Sequence, residues 1–109
     1  MILSIKTAED REAELEAQAK AELKAIKTYT LNSITVTTTN GNTFDGNEAA
    51  RTNMLSAILS ADLIGKTEET WKLADNSTAL VTLVELRQAL ARAIQEVGRI
   101  VKCTTMGEL

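Results

Sequence analysis

The stretch from Trp71 to Leu90 constrains the fold more than any other part of this chain, because its residues specify three consecutive elements. Two short segments, Thr70–Leu73 and Thr78–Thr82, contain residues that favour strands. Between them, the Asp, Asn and Ser side chains of Ala74–Ser77 can hydrogen-bond their own backbone in a turn. The pattern predicts a β-hairpin that leads directly into a helix.

The helix after this hairpin has a recognisable beginning and a recognisable apolar face. Thr82 and Glu85 have the spacing of a capping box, in which the hydroxyl accepts a backbone amide and the carboxylate reaches back to the amide of the threonine. The apolar residues that follow recur at steps of three and four, at Leu83, Leu86, Leu90, Ala93, Val97 and Ile100. We expect this face, in particular Leu86, Leu90 and Val97, to be buried within the same domain.

An earlier hairpin is predicted by a run of threonines and β-branched residues. Strands are expected near Ser33–Thr39 and Asn42–Phe44. Asn40 and Gly41 between them can both adopt the positive φ values of a tight turn. The two strands should therefore pair in antiparallel fashion.

A helix is predicted directly after this hairpin. Asp45 and Glu48 resemble a further capping box, and Gly65 suits the left-handed conformation in which many helices end. The apolar residues at helical spacing are Ala50, Met54, Leu55, Ile58, Ala61 and Leu63. The pattern predicts a second, well-buried helix.

The N-terminal region is rich in Ala, Glu and Lys and predicts a helix from Ala8 to about Lys27, with Thr7 as its N-cap. Its apolar stripe is narrow and consists of Leu15, Ala19, Leu23 and Ile26. So narrow a stripe suits either a protruding helix or a helix whose partner lies in another chain. Both interpretations stay open, and the four residues are the candidate interface.

The order of elements is helix, hairpin, helix, hairpin, helix, which predicts an α+β fold. We divide the chain into an N-terminal charged helix, residues 1–28, for attachment or oligomerisation and a compact ββαββα domain, residues 29–109. The second part should contain a small antiparallel sheet packed on helices.

Composition argues against several classes of function. Twelve basic and fifteen acidic residues give a net charge of −3, so nucleic acid is not expected as a partner. No apolar stretch approaches the length of a membrane span, so no membrane partner is expected either. Cys103 is the single cysteine and the chain has no histidine. We therefore expect no disulfide, no metal, no cofactor and no catalytic residues.

One alternative of another class is kept, a small domain that binds a ligand or catalyses a reaction. Trp71 could be a platform for stacking, with acidic residues nearby, although a single tryptophan on a strand more commonly covers a core. Asp45, Asp75 and Glu85 have structural explanations as caps and turn residues.

The signature residues of both hairpins carry a resemblance to a known family. They are Phe44, Asp45 and Gly46, then Trp71, Ala74, Asp75 and Asn76, then Val81, Thr82, Leu83, Glu85 and Leu86. In this order they resemble a domain of unknown function that recurs in tail-fibre-associated proteins of bacteriophages and prophages.

The resemblance implies a non-enzymatic component of a phage tail, associated with the fibre or the baseplate. Its partner would be another tail protein or the chain itself, in a homo-oligomer such as a trimer. A tail-fibre assembly chaperone, absent from the mature virion, is the alternative. The expected location is the host cytoplasm during assembly and, for a retained component, the virion tail.

Overall fold

The protein was analysed as a computed structural model, which describes residues 8–109. The helices are α1 (Ala8–Asn32), α2 (Glu48–Ile64) and α3 (Leu83–Lys102), followed by a 3-10 turn at Met106–Glu108. The strands are β1 (Thr35–Thr37), β2 (Thr43–Asp45), β3 (Glu68–Lys72) and β4 (Thr78–Thr82). This order confirms the predicted α+β fold, an N-terminal helix followed by ββαββα. We call the part from residue 33 to the C-terminus the body.

The strands form two separate antiparallel sheets of two strands each. Val36 pairs with Phe44 in the first sheet, and Thr70 pairs with Leu80 in the second. One backbone hydrogen bond, from the amide of Ala74 to the carbonyl of Thr43 at 3.0 Å, joins the two hairpins. The expected small sheet is therefore divided into two.

The first hairpin turns through three residues rather than the two expected. The amide of Thr38 donates to the carbonyl of Asn42 at 3.0 Å, and Gly41 has a φ of 88°. The prediction of positive φ at Asn40 is wrong, because a three-residue loop needs only its last residue in the left-handed region.

The second hairpin uses the same kind of loop. The amide of Leu73 donates to the carbonyl of Ser77 at 2.7 Å, and Asn76 has a φ of 68°. Asn tolerates this region better than most residues because its short polar side chain can hydrogen-bond locally. The predicted turn at Ala74–Ser77 is confirmed.

The start of α2 differs from the prediction. Asp45 is the last residue of β2, and the N-cap is Asn47, whose side-chain oxygen accepts the amide of Ala50 at 3.0 Å. The amide of Gly46 still donates to Ile34 across the hairpin, at 2.7 Å, so the chain cannot turn into a helix at Asp45. Gly65 ends α2 in the left-handed conformation, as predicted.

α2 is buried along only one face, so the prediction of a well-buried helix is wrong. Met54, Ile58 and Ala61 are buried, whereas Leu55 is exposed and Leu63 is 87% exposed. The apolar residues of α2 extend over more than the face that packs on α3, and the other residues between 8 and 109 leave the remainder exposed.

α3 lies at the centre of the body and contacts α1, α2, β1 and β4. The buried core around it is aliphatic except for one phenylalanine and comprises Ile34, Val36, Phe44, Met54, Ile58, Ala61, Leu73, Val81, Leu83, Leu86, Ala89, Ala93 and Ile100. Leu86 is fully buried, as predicted, but Leu90 and Val97 are only partly buried at the edge of this core.

α1 continues five residues beyond its predicted end. Thr28 and Thr30 donate their hydroxyls to the carbonyls of Lys24 and Ile26 one turn earlier, at 3.0 and 2.8 Å, a hydrogen bond that threonine can make within a helix. Because α1 ends later, β1 begins at Thr35 and is shorter than predicted. The predicted N-cap, Thr7, lies outside the described residues.

Candidate interface

The N-terminal part of α1 projects away from the body. Every residue from 8 to 22 is exposed, and α1 has no buried residue. A helix of 25 residues is about 37 Å long, and the molecule measures 76 × 26 × 21 Å. We call residues 8–22 the projecting segment.

The four candidate interface residues divide between the projecting segment and the part of α1 next to the body. Leu15 is 64% exposed and Ala19 is exposed, both in the projecting segment. Leu23 is partly buried, and Ile26 is 38% exposed. Leu15 and Ala19 are thus mostly exposed to solvent, whereas Leu23 and Ile26 are more covered.

The C-terminal end of α1 is attached to the end of α3. Lys27 Nζ donates to the carbonyl of Val101 at 3.2 Å, where the helix dipole of α3 favours a cation. Leu31 packs against the buried core, as does Leu109 at the C-terminus. These contacts fix one end of α1, so the projecting segment begins from a supported base.

The first signature residues hold the hairpin against α3. Phe44 is fully buried, and a Cβ added at Gly46 would lie 2.6 Å from Ile34 Cγ2 and 3.1 Å from Ala93 Cβ. Such distances are closer than van der Waals contact permits. Glycine is therefore required here by close packing. The carbonyl of Gly46 also accepts Arg51 Nη1 at 2.7 Å.

Trp71 and Asp45 line the same depression, which brings an acidic residue near Trp71 as the ligand-binding alternative expected. Its volume is about 460 Å³, and Ala50, Asn53 and Lys72 complete the lining. Trp71 is partly buried and packs against the core, as expected for a residue that covers it. Because Asp45 is not a helix cap, its carboxylate is available beside an indole, an amide and an ammonium group.

Asp75 and Asn76 are turn residues, as predicted. The carboxylate of Asp75 accepts the hydroxyl and the amide of Ser77, and these hydrogen bonds lower the pKa of Asp75. Both residues are exposed and stabilise the loop conformation.

Thr82 caps α3, but Glu85 does not complete the predicted capping box. The Thr82 hydroxyl accepts the amide of Glu85 at 3.1 Å, as expected. The Glu85 side chain, only 5% exposed, accepts Thr38 Oγ1 at 2.7 Å and Asn42 Nδ2 at 3.0 Å. The carboxylate therefore joins α3 to the first hairpin instead of reaching back along its own helix.

The pKa of Glu85 reflects this environment. Burial raises the pKa, but hydrogen bonds from Thr38, Asn42 and Asn40 lower it by more, so it lies below its ordinary value of 4.5. The folded protein therefore favours the ionised carboxylate.

Glu85 belongs to a polar row on α3 that the sequence analysis missed. Gln88 Oε1 accepts the amide of Thr39 at 3.0 Å, and Arg92 Nη1 donates to the carbonyl of Thr37. Glu85, Gln88 and Arg92 are spaced by three and four residues, the spacing of one helix face. The spacing could have been recognised in the sequence. In the structure, these three side chains attach the first hairpin to α3.

The remaining candidates for chemistry do not form a site. Cys103 is buried, and its Sγ donates to the carbonyl of Arg99 at 3.2 Å. Within residues 8–109, no group of three or more Cys, Asp or Glu side chains could hold a metal ion. In the same part of the chain, no helix has the length and apolar character needed to cross a membrane.

Comparison with known proteins gives one match. The family model of a domain of unknown function, DUF4376, matches residues 9–101 and so includes most of α1, both hairpins and nearly all of α3. No curated protein and no solved structure gives a significant match. α1 is thus part of the domain that the family model describes.

Proposed function

The chain belongs to the DUF4376 family, a domain of unknown function, and from this premise we propose that it is a non-enzymatic phage tail component that binds another chain through α1. The exposed projecting segment is the observation that carries the proposal. Leu15 and Ala19 bury little against the rest of the described residues, 8–109, so the apolar stripe of the projecting segment would gain stability from a partner.

The body supports a role in binding rather than catalysis. The chain has no histidine, the commonest general base. Two of the three acidic signature residues have structural roles, since Asp75 holds a turn and Glu85 holds a hairpin. In this proposal the body is the base from which α1 extends, attached through Lys27 and Leu31.

Association with a phage tail rests on the resemblance of the two hairpin signatures to tail-fibre-associated proteins. Mass spectrometry of purified particles and of the lysate from the same infection tests it. We expect the protein in the particles, in a fixed ratio to the fibre or baseplate proteins. Presence in the lysate and absence from particles would support the assembly chaperone instead. If the protein copurifies with no tail protein from either sample, both the tail component and the assembly chaperone are contradicted.

The depression at Trp71 favours a small ligand-binding domain as the second candidate. An indole face and the Asp45 carboxylate together suit a cationic or aromatic molecule. A thermal-shift screen of such compounds tests this function, with Trp71→Ala as the variant and Leu55→Ala, on the exposed face of α2, as the control. A shift that Trp71→Ala abolishes and Leu55→Ala retains would support ligand binding.

A further inference from the structure

The charges of α1 are separated along its length. Residues 8–16, the acidic half, carry five carboxylates and one guanidinium, a net charge of −4: Glu9, Asp10, Arg11, Glu12, Glu14 and Glu16. Residues 17–27, the basic half, carry three lysines and one glutamate, a net charge of +2: Lys20, Glu22, Lys24 and Lys27. The helix is therefore negative towards its N-terminal end and positive beside the body.

The surface next to the basic half has the same character. Lys102 is exposed in the last turn of α3 and adds a further positive charge there. Val101, whose carbonyl accepts Lys27 Nζ, is an exposed apolar residue, and Ile26 is partly exposed on α1. The Glu108 carboxylate also lies near Lys27, whose charge helps to lower the pKa of Glu108. The base of α1 thus offers the positive charges of Lys24 and Lys102 together with apolar surface.

We propose that the partner of α1 is a second copy of this chain, bound in antiparallel orientation with a two-fold axis near Ala19. The inference rests on the proposed function, in which α1 binds another chain. In this orientation the acidic half of each copy lies along the basic half of the other. The net negative half of each helix then lies along the net positive half of the other, with Glu14 of one copy beside the partner's Lys24.

The apolar stripe fits the same axis. Leu15 and Leu23 lie four residues on either side of Ala19, so the axis places Leu15 of one copy beside the partner's Leu23. The small side chain of Ala19 lies at the axis, where two helices approach most closely. The interface therefore has two leucine pairs around a close contact.

A parallel arrangement, including the trimer that the sequence suggested, places like charges together. Two unit charges 4 Å apart interact by about 1 kcal/mol even in water, and each copy would bring five carboxylates to one end of the bundle. Added salt would relieve that repulsion, whereas it would weaken the antiparallel pair. The charge distribution therefore selects the antiparallel orientation.

Disulfide cross-linking in the full-length protein distinguishes the orientations, because the bond requires Cβ atoms about 3.5–4.5 Å apart. Ala19→Cys should cross-link in either orientation and reports that the helices meet. Leu15→Cys alone should give no cross-linked dimer. A mixture of Leu15→Cys with a differently tagged Leu23→Cys should give the mixed dimer. The unaltered chain is the control, since its own Cys103 is buried.

Charge reversal gives an independent measurement by light scattering. Residues 14 and 24 lie five residues on either side of Ala19, so the axis places Glu14 of one copy beside the partner's Lys24. Glu14→Lys alone, or Lys24→Glu alone, places like charges at these two positions and should shift the mass from dimer towards monomer. Making both changes in one chain restores an opposite pair across an antiparallel interface, so the dimer should return. In a parallel interface each position lies beside its own copy, so the combined change creates no opposite pair.

The outcomes separate this inference from the proposed function. Cross-linking of Leu15→Cys alone as complete as that of Ala19→Cys would overturn the antiparallel arrangement and leave α1 as an interaction helix. A full-length chain that remains monomeric and binds a tail protein through α1 would overturn self-association only. A chain that neither self-associates nor binds a tail protein through α1 would overturn both.

Discussion

α1 and α3 are the longest helices of the protein, with 25 and 20 residues, but they are stabilised in different ways. α3 has six buried residues and contacts both other helices. It also contacts each sheet through one strand, β1 in the first and β4 in the second. α1 has no buried residue, and its Ala, Glu and Lys residues favour a helix through intrinsic propensity. The difference shows that length and regularity do not indicate where a helix is buried. α3 organises the body, and the projecting segment of α1 is available to another chain.

Matched truncations of leucine should show the largest difference between the two helices. Leu86→Ala removes a fully buried side chain from α3 and should lower the free energy of unfolding by about 2–5 kcal/mol. Leu15→Ala should change it by less than about 0.5 kcal/mol in the monomer, because the side chain is exposed. Leu90→Ala, at the edge of the core, should fall between them. Chemical denaturation measures all three, and equal losses for Leu86 and Leu15 would contradict the comparison.

Glycine substitutions should sharpen the account of how the body packs on α3. Gly46→Ala places a methyl group against Ile34 and should cost roughly 1–3 kcal/mol of stability. Gly98→Ala, in α3 with nothing within 4 Å of the added Cβ, should instead stabilise the protein by about 0.5–1 kcal/mol. Thermal unfolding of the two variants should show shifts of opposite sign. A neutral Gly46→Ala would mean that the hairpin does not approach α3 so closely.

The Glu85 carboxylate should make the body sensitive to acid. Its pKa is lower in the folded than in the unfolded chain, so its stabilisation is present above the ordinary value of 4.5 and is lost as the pH falls through the folded value. Glu85→Gln should cost about 1 kcal/mol near neutral pH, since hydrogen bonds to charged groups are stronger than neutral ones. The difference from the unaltered protein should shrink as the pH falls below 4.5. A constant difference across this range, by denaturation at several pH values, would contradict the role of the charge.

The cap of α3 should have an effect on stability similar to that of Glu85. Thr82→Ala removes the acceptor of the Glu85 amide and should cost about 1 kcal/mol, whereas Thr82→Ser should retain most of the stability. Neither change should alter association through α1, because Thr82 lies at the opposite end of α3 from Lys27. Weakened association in Thr82→Ala would indicate that the two regions are coupled.

The sequence predicted the order of elements because each hairpin and each helix has its own local pattern. It did not predict which neighbour covers each apolar residue, so Leu55 and Leu63 were expected to be buried and are exposed. Periodicity identifies an apolar face, but tertiary packing decides how much of that face neighbouring elements bury. The same limit applies to Leu90 and Val97 at the edge of the core.

Polar residues with more than one available partner were the other source of error. Asp45 and Asn47 are both good caps, and the choice between them depends on how far the first hairpin continues. Glu85 has capping-box spacing, yet the first hairpin offers its carboxylate two closer donors. The apolar stripe of α1 could be recognised in the sequence because it depends only on the spacing of residues within one helix.

Removing residues 1–22 tests most directly whether the projecting segment serves another chain while the body folds alone. The shortened protein keeps Lys27 and Leu31, which attach α1 to the body. We predict an unchanged midpoint of thermal unfolding, with a monomeric mass by light scattering where the full-length chain is a dimer. A large drop in the unfolding midpoint would contradict the account. So would the same number of chains per particle in the full-length and the shortened protein.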